Sequence, residues 1–272
     1  MIRLSRALAA SALVATIAYA GSAAAYFITD AYQGGNHHGY GDRIGSAVFE
    51  VHYAELYRSG TQLTVEIYTN FAGHGDEKLF ASLTNRAASK IGTVKMGIGY
   101  GDLFLGTAWN PFGVGPAYLA DDHATGTKWT YGFSLGNDRW TDAGGNGTLY
   151  ALNGATNDAD ALLAEDFLSG GVYRNGQEVA VDRTSPTVSA VSTGNWSVVT
   201  TPGHESLVFN IDVSGTALEF SDSIALHWAM SCGNDTIEGI TKVPEPGGLG
   251  LIGMALVGAI GARRRARRGG VY

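Results

Sequence analysis

The sequence predicts an all-β domain, an antiparallel β-sandwich of jelly-roll-like build with one short helix, flanked by a signal peptide and a C-terminal transmembrane helix. Three observations carry this expectation. Apolar and polar residues alternate at period two, which turns one face of each strand toward a core and the other toward water. Glycine occurs 39 times among 272 residues, roughly twice its average share, and falls between the alternating stretches, where turns need positive φ. Helical periodicity marks only one place in the interior of the chain.

In chain order, Phe49, Val51 and Tyr53 alternate with Glu50 and His52, Ser59-Gly60 forms a tight turn, and Leu63, Val65 and Ile67 alternate with Thr64 and Glu66. This is a β-hairpin. Shorter strands are expected over 93–98, 102–105, 127–134, 147–152, 171–173, 178–182 and 197–200. The helix is expected between them. Thr156 or Asn157 caps it, Asp158 and Asp160 lie at its positive end, Leu162, Leu163 and Phe167 form its apolar face, and Gly170-Gly171 stops it. Leu207, Phe209, Ile211 and Val213 then face one way. Ile224, Leu226, Trp228 and Met230 repeat the pattern after a Ser214-Gly215 turn, placing Trp228 in the core. Two antiparallel sheets packed face to face satisfy these patterns most simply. The residues just before Val243 read as a short stalk.

The two ends read differently from the middle. Arg3 and Arg6 precede an apolar run from residue 7 to 20, and Ala23 and Ala25 supply the small residues that signal peptidase requires, which places a signal peptide over 1–25. At the other end, Val243, Pro244, Glu245 and Pro246 precede 16 uncharged residues, 247–262, and then Arg263, Arg264, Arg265, Arg267 and Arg268. As a helix those residues reach roughly 24 Å, slightly less than a hydrocarbon core of about 30 Å, so they span with local thinning or help from their flanks. The arginines stay cytoplasmic and stop transfer. The prolines keep their segment extended on the opposite side.

This three-part ending resembles the PEP-CTERM sorting signal of Gram-negative bacteria, which the integral membrane enzyme exosortase recognises and cleaves. The resemblance extends inward. Residues 28–42, 68–74, 99–105, 174–180 and 227–235 are similar to an exosortase-sorted surface-protein family, which implies surface location rather than a particular chemistry. The expected organisation is therefore a signal peptide at 1–25, the β-sandwich domain at 26–241 and the sorting signal at 242–272.

Between the two processing sites lie 11 of the 18 Lys and Arg but 24 of the 25 Asp and Glu, a net charge of −13. Such a surface repels nucleic acid and anionic polymers, so no nucleic-acid partner is expected. Cys232 is the only cysteine, which excludes an internal disulfide and suits a buried apolar side chain.

Several constellations invite chemistry. Gly132-Phe133-Ser134-Leu135-Gly136 satisfies G-x-S-x-G, but a nucleophile elbow needs a helix after the serine, and Asn137-Asp138-Arg139-Trp140 leads into glycines instead. His204 and His227 are the downstream bases such a site would need. Asp30, Asp42 and Asp102, with His37 and His38 nearby, suggest a structural calcium site, because hard cations take carboxylate and carbonyl oxygens. Asn157, Asp158, Asp160 and Glu165 fail the EF-hand spacing, and the acidic ones read as opening a helix. Trp109 and Trp140 are the candidate surface rings for stacking on a glycan.

The expected function is that of an exported structural protein of the cell surface or extracellular matrix, associated with biofilm or exopolysaccharide. Signal peptidase and exosortase are its processing partners, the inner membrane holds it transiently, and no enzymatic activity or further cofactor is expected. A secreted carbohydrate-binding module is the alternative, and a secreted hydrolase comes after it.

Overall fold

The computed structural model describes residues 26–35, 41–75, 97–136, 138–153, 159–168 and 173–243. Twelve strands lie among them: β1 (Tyr26–Thr29), β2 (Val51–Ser59), β3 (Gln62–Thr69), β4 (Leu103–Gly106), β5 (Tyr131–Ser134), β6 (Gly145–Leu152), β7 (Ala161–Leu163), β8 (Glu178–Val181), β9 (Val188–Val199), β10 (Ser206–Asp212), β11 (Ser223–Ala229) and β12 (Thr236–Lys242). The expected hairpin is β2–β3. Gly60 takes φ +59° in its two-residue loop, as the first position of a type II′ turn requires.

The expected sandwich is replaced by one continuous sheet. Ten strands pair antiparallel in the order β1-β2-β3-β10-β9-β6-β5-β4-β11-β12, and β1 returns to lie beside β12. The sheet is thus nearly closed into a barrel. Ile28 packs over Gly239, where an added Cβ would sit 2.7 Å from Ile28 Cγ2, so glycine permits the two edges to approach. Barrels and sandwiches both bury one strand face and produce the same alternation. Pairings such as Leu207 with Ile67, between strands far apart in sequence, decide between them.

Inside the curl lie Leu56, Val65, Leu105, Phe133, Phe209 and Trp228, all buried as part of one core cluster. A second layer covers part of the outside. β7 and β8 form their own two-stranded sheet against β5 and β11, and Phe104, Trp129, Leu152, Val181 and Ala225 make a separate apolar cluster there. β4 and β11 are therefore buried on both faces, not on one as their alternation suggests.

The structure differs from expectation in other places. A register shift between Val51 and Tyr53 puts Tyr53 on the outer side, so these two do not share a face. Leu162 and Leu163 belong to β7, and the helix is a single turn, α1 (Ala164–Phe167). Its expected caps Thr156 and Asn157 lie outside the described residues. The stretch read as a stalk is β12, and Val243 behind it is buried, its amide donating to the Asp222 carbonyl at 2.8 Å.

The two layers are joined by a buried ion pair. Asp102 Oδ1 accepts from Arg139 Nη2 and from the Leu135 amide, both at 2.8 Å, while Oδ2 accepts from the Val181 amide at 2.8 Å. Both side chains are wholly inaccessible to solvent. Replacing Asp102 by Ala leaves the Arg139 guanidinium buried without a counter-charge, which is expected to lower unfolding free energy by about 3–5 kcal/mol. Urea denaturation checks this, and a loss below about 1 kcal/mol counts against the clamp.

Candidate functional site

Three aspartates converge where the sheet edges meet. Asp30 follows β1, Asp42 lies beyond the loop that leaves β1, and Asp235 leads into β12. One carboxylate oxygen from each lies within 4.8 Å of the other two. Asp235 is held by backbone amides, Val51 N at 2.7 Å on Oδ2 and Thr236 N at 2.9 Å on Oδ1. Both oxygens of Asp30 are shut away from water and accept no hydrogen bond among the described residues.

Arg174 is close but does not neutralise them by hydrogen bonding. Its guanidinium donates to the carbonyls of Gln33, Gly41, Asp42 and Gly233, pinning the loop after β1. Gly41, at φ +100°, adopts the backbone that this return path needs. Burial, and then the negative charges of Asp235 and Asp42, push the Asp30 carboxyl up to about 9. Burial likewise pushes Asp235 up to about 7. Like charges out of water raise one another's proton affinity, and the nearby Arg174 charge offsets this only in part.

A second polar group lies under the covering layer. His227 Nδ1 stands 2.9 Å from Glu238 Oε2 and Nε2 stands 2.7 Å from the Glu178 carbonyl. A neutral imidazole carries one N–H, so only the imidazolium satisfies both acceptors. Burial by itself would lower the His227 pKa, but the hydrogen bond to Glu238 and the charges of Glu178 and Glu238 hold it above 6.5. Burial pushes Glu178 up to about 7. Glu238 Oε1 in turn accepts the Trp109 indole N–H at 2.7 Å, which sets that ring at the wall of a cleft of about 300 Å³ shared with Phe27, Tyr32, Tyr118 and Ile240.

The third feature is the uncovered outer face of β2, β3, β10, β9 and β6. Tyr57, Thr64, Asn210, Asn195 and Asn146 are successive cross-strand neighbours. Thr64 Oγ1 donates to Asn210 Oδ1 at 2.9 Å, and Asn210 Nδ2 to Asn195 Oδ1 at 3.3 Å. Ser134, Thr148 and Thr193 make a parallel hydroxyl row beside a cleft of about 350 Å³ that also holds Arg183 and Tyr150. Tyr53 and Tyr68 stack at 4.2 Å farther along.

These placements sort the residues singled out by sequence. Asp30 and Asp42 come together, but Asp102 belongs to the Arg139 pair, and Asp235 takes the third place. The sequence marks Asp235 only as an acid entering a strand. Trp140 is 2 % exposed, with its indole against Gly99 and Arg139 nearby, because Arg139 must turn inward to reach Asp102. Trp109 is half-buried and tied to Glu238. Ser134 is buried and accepts the Gly136 amide, and no hydrogen bond joins it to a histidine among the described residues. Cys232 is buried, and burial pushes its thiol up to about 12, as suits an unreactive side chain. His37, His38, Ala23, Ala25, Pro244, Glu245, Pro246 and the tail arginines 263, 264, 265, 267 and 268 lie outside the described residues. So does the apolar run 247–262; among the described residues no helix is long and apolar enough to cross a membrane.

The family model of the PEP-CTERM protein-sorting motif matches residues 242–265. The chain carries this sorting signal, which implies processing by exosortase and delivery to the cell surface or the extracellular space. No curated protein and no solved structure gives a significant match.

The buried Glu178 and His227 set a pH dependence. Both have folded-state pKa values above their ordinary ones, Glu178 at about 7 against 4.5. Their stabilising contributions are thus complete in mild acid and are lost as pH rises through the folded values. From about pH 5 to about pH 8 the fold should lose on the order of 2 kcal/mol at this site. Chemical denaturation across that range checks the sign, and Glu178→Gln is expected to flatten the slope.

Proposed function

We propose that the chain is an exported structural protein of the cell surface or extracellular matrix, tethered in the inner membrane only until exosortase removes its tail. The observation that carries this reading is the sorting motif at 242–265, which begins at the last residue of the last strand of the sheet. Val243, which lies inside the matched motif, is buried in the core of the domain. A non-catalytic role is supported by the way the buried polar groups are used: Asp102, Arg139, Arg174, His227 and Glu238 all hold segments of the fold together.

Processing is testable in cells with an epitope tag placed after Tyr272. The wild type is expected to lose the tag, whereas replacing Pro244 and Pro246 by Ala should leave full-length tagged chain in the inner membrane. Equal loss from both chains counts against exosortase processing.

Carbohydrate binding is the second reading, favoured by the uncovered sheet face. Its amides and hydroxyls are spaced as neighbouring strands are, about 4.8 Å apart, and an extended sugar polymer offers hydroxyls to such a row while tyrosines stack on its rings. Glu55, Glu66 and Asp212 on the same side disfavour an anionic polymer, so a neutral polysaccharide is the fitting ligand. Asn195→Ala combined with Asn210→Ala is expected to weaken retention on neutral polysaccharide about tenfold. Loss with Trp109→Ala instead would move the contact to the cleft beside Tyr118.

A further inference from the structure

We infer that the cleft over the seam between β1 and β12 binds a small, soluble trimethylammonium compound, held by the faces of Trp109, Tyr118, Tyr32 and Phe27. The lining carries the argument. Those four side chains are aromatic, the only charged side chain beside them is Glu238, and no lysine or arginine reaches the cleft among the described residues. A cation is drawn to the negative face of an aromatic ring, and a quaternary ammonium is the ligand that a cluster of such rings recognises. The volume, about 300 Å³, suits a ligand of this size.

Two of the rings are made more negative by what they donate to. Trp109 gives its indole N–H to Glu238 Oε1 at 2.7 Å, and Tyr32 gives its hydroxyl hydrogen to Asp121 Oδ2 at 2.9 Å. A hydrogen bond to a carboxylate polarises the donor, which enriches the ring face. Burial, and then the charges of Glu238 and Asp121, push the Tyr32 phenol well above its ordinary value, in keeping with a negative field at this ring. Asp121 is pushed up to about 6, chiefly by burial, and remains a carboxylate at neutral pH. Against the single positive charge of His227 stand Glu238, Asp121 and, beyond them, Glu178.

The same hydrogen bonds disfavour a sugar. Glu238 Oε2 already faces His227 at 2.9 Å, and the polar hydrogens of Trp109 and Tyr32 are taken. A saccharide entering here would bury hydroxyls against these occupied atoms. A trimethylammonium group has no N–H to satisfy. The rings also enclose a point instead of laying out a flat platform: Trp109 meets Tyr118 at 76° with centroids 5.3 Å apart, and Tyr118 meets Tyr32 at 30° and 6.2 Å.

Tyr118 marks the place in a second way. Among the described residues it is the only one other than glycine with positive φ, at +48°, and a bulky residue holds that backbone only where its surroundings impose it. Its ring lies over Gly115, where an added Cβ would come within 2.7 Å of Tyr118 Cζ. The loop thus holds strain at the residue that forms one wall of the cleft, as ligand clamps do.

The test uses the full chain in a detergent without an ammonium head group, at constant ionic strength, so it does not depend on processing by exosortase. Choline is expected to change tryptophan fluorescence saturably, because Trp109 is half-buried whereas Trp129, Trp140, Trp196 and Trp228 are buried. Its uncharged isostere, with a tert-butyl group in place of the trimethylammonium, should bind about tenfold more weakly. Tyr118 is half-buried and outside the core clusters; Tyr118→Ala should weaken choline binding about tenfold while Tyr118→Phe keeps it. Equal binding of choline and the isostere, a Tyr118→Ala chain that binds as the wild type does, or no saturable response to choline would overturn the site. A response to phosphatidylcholine vesicles without one to free choline would overturn the soluble ligand.

Discussion

A sheet has two edges, and the rest of this structure follows from how they are brought together. Unpaired strand edges template association with other chains unless they are paired or covered. Here the first and last strands are brought side by side, with Ile28 seated over Gly239 and the aspartates gathered at one end of the seam. That arrangement makes residues from the start and end of the domain structural neighbours. It also explains why β12, whose last residue begins the sorting motif, is part of the fold.

The chain is acidic, yet its interior is organised by buried charge. Asp102 ties the sheet to the covering layer through Arg139 and the Val181 amide. His227 joins β11 to β12 through Glu238 and to β8 through the Glu178 carbonyl. Arg174 gathers carbonyls from the loop after β1 and from Gly233. Asp102, Arg174 and the His227 contact with Glu178 bridge segments that no backbone ladder joins, whereas His227 and Glu238 are already ladder partners. Such pairs add little when replaced together, but losing one partner is costly, so they specify the arrangement of layers more than they add to its stability.

The covering layer divides the outside of the curl into unlike halves. Over β4 and β11 the outer face is dry and apolar, with Phe104, Trp129 and Ala225 packed beneath β7 and β8. Over β3, β10 and β9 it is open to solvent and carries aligned amides, hydroxyls and tyrosines. The two halves of the outside therefore differ in what they offer to solvent.

What was determined along the chain is legible along the chain. The sorting tail is a contiguous pattern, the β2–β3 hairpin needs only local alternation and a glycine turn, and the burial of Trp228 and Cys232 follows from strand phase or residue type. Leu162, Leu163 and Phe167 suit a helical stripe, whereas pairing with β8 turns the first two into strand. Trp140 reads as a surface ring because nothing nearby in sequence reveals that Arg139 must reach Asp102. Asp235, the third member of the acidic cluster, is 193 positions from Asp42. The tertiary structure alone decided the single curled sheet, the doubly buried strands and the meeting of three aspartates, because each depends on pairings between distant segments. Periodicity states which face a strand buries, and only the register of remote neighbours states against what.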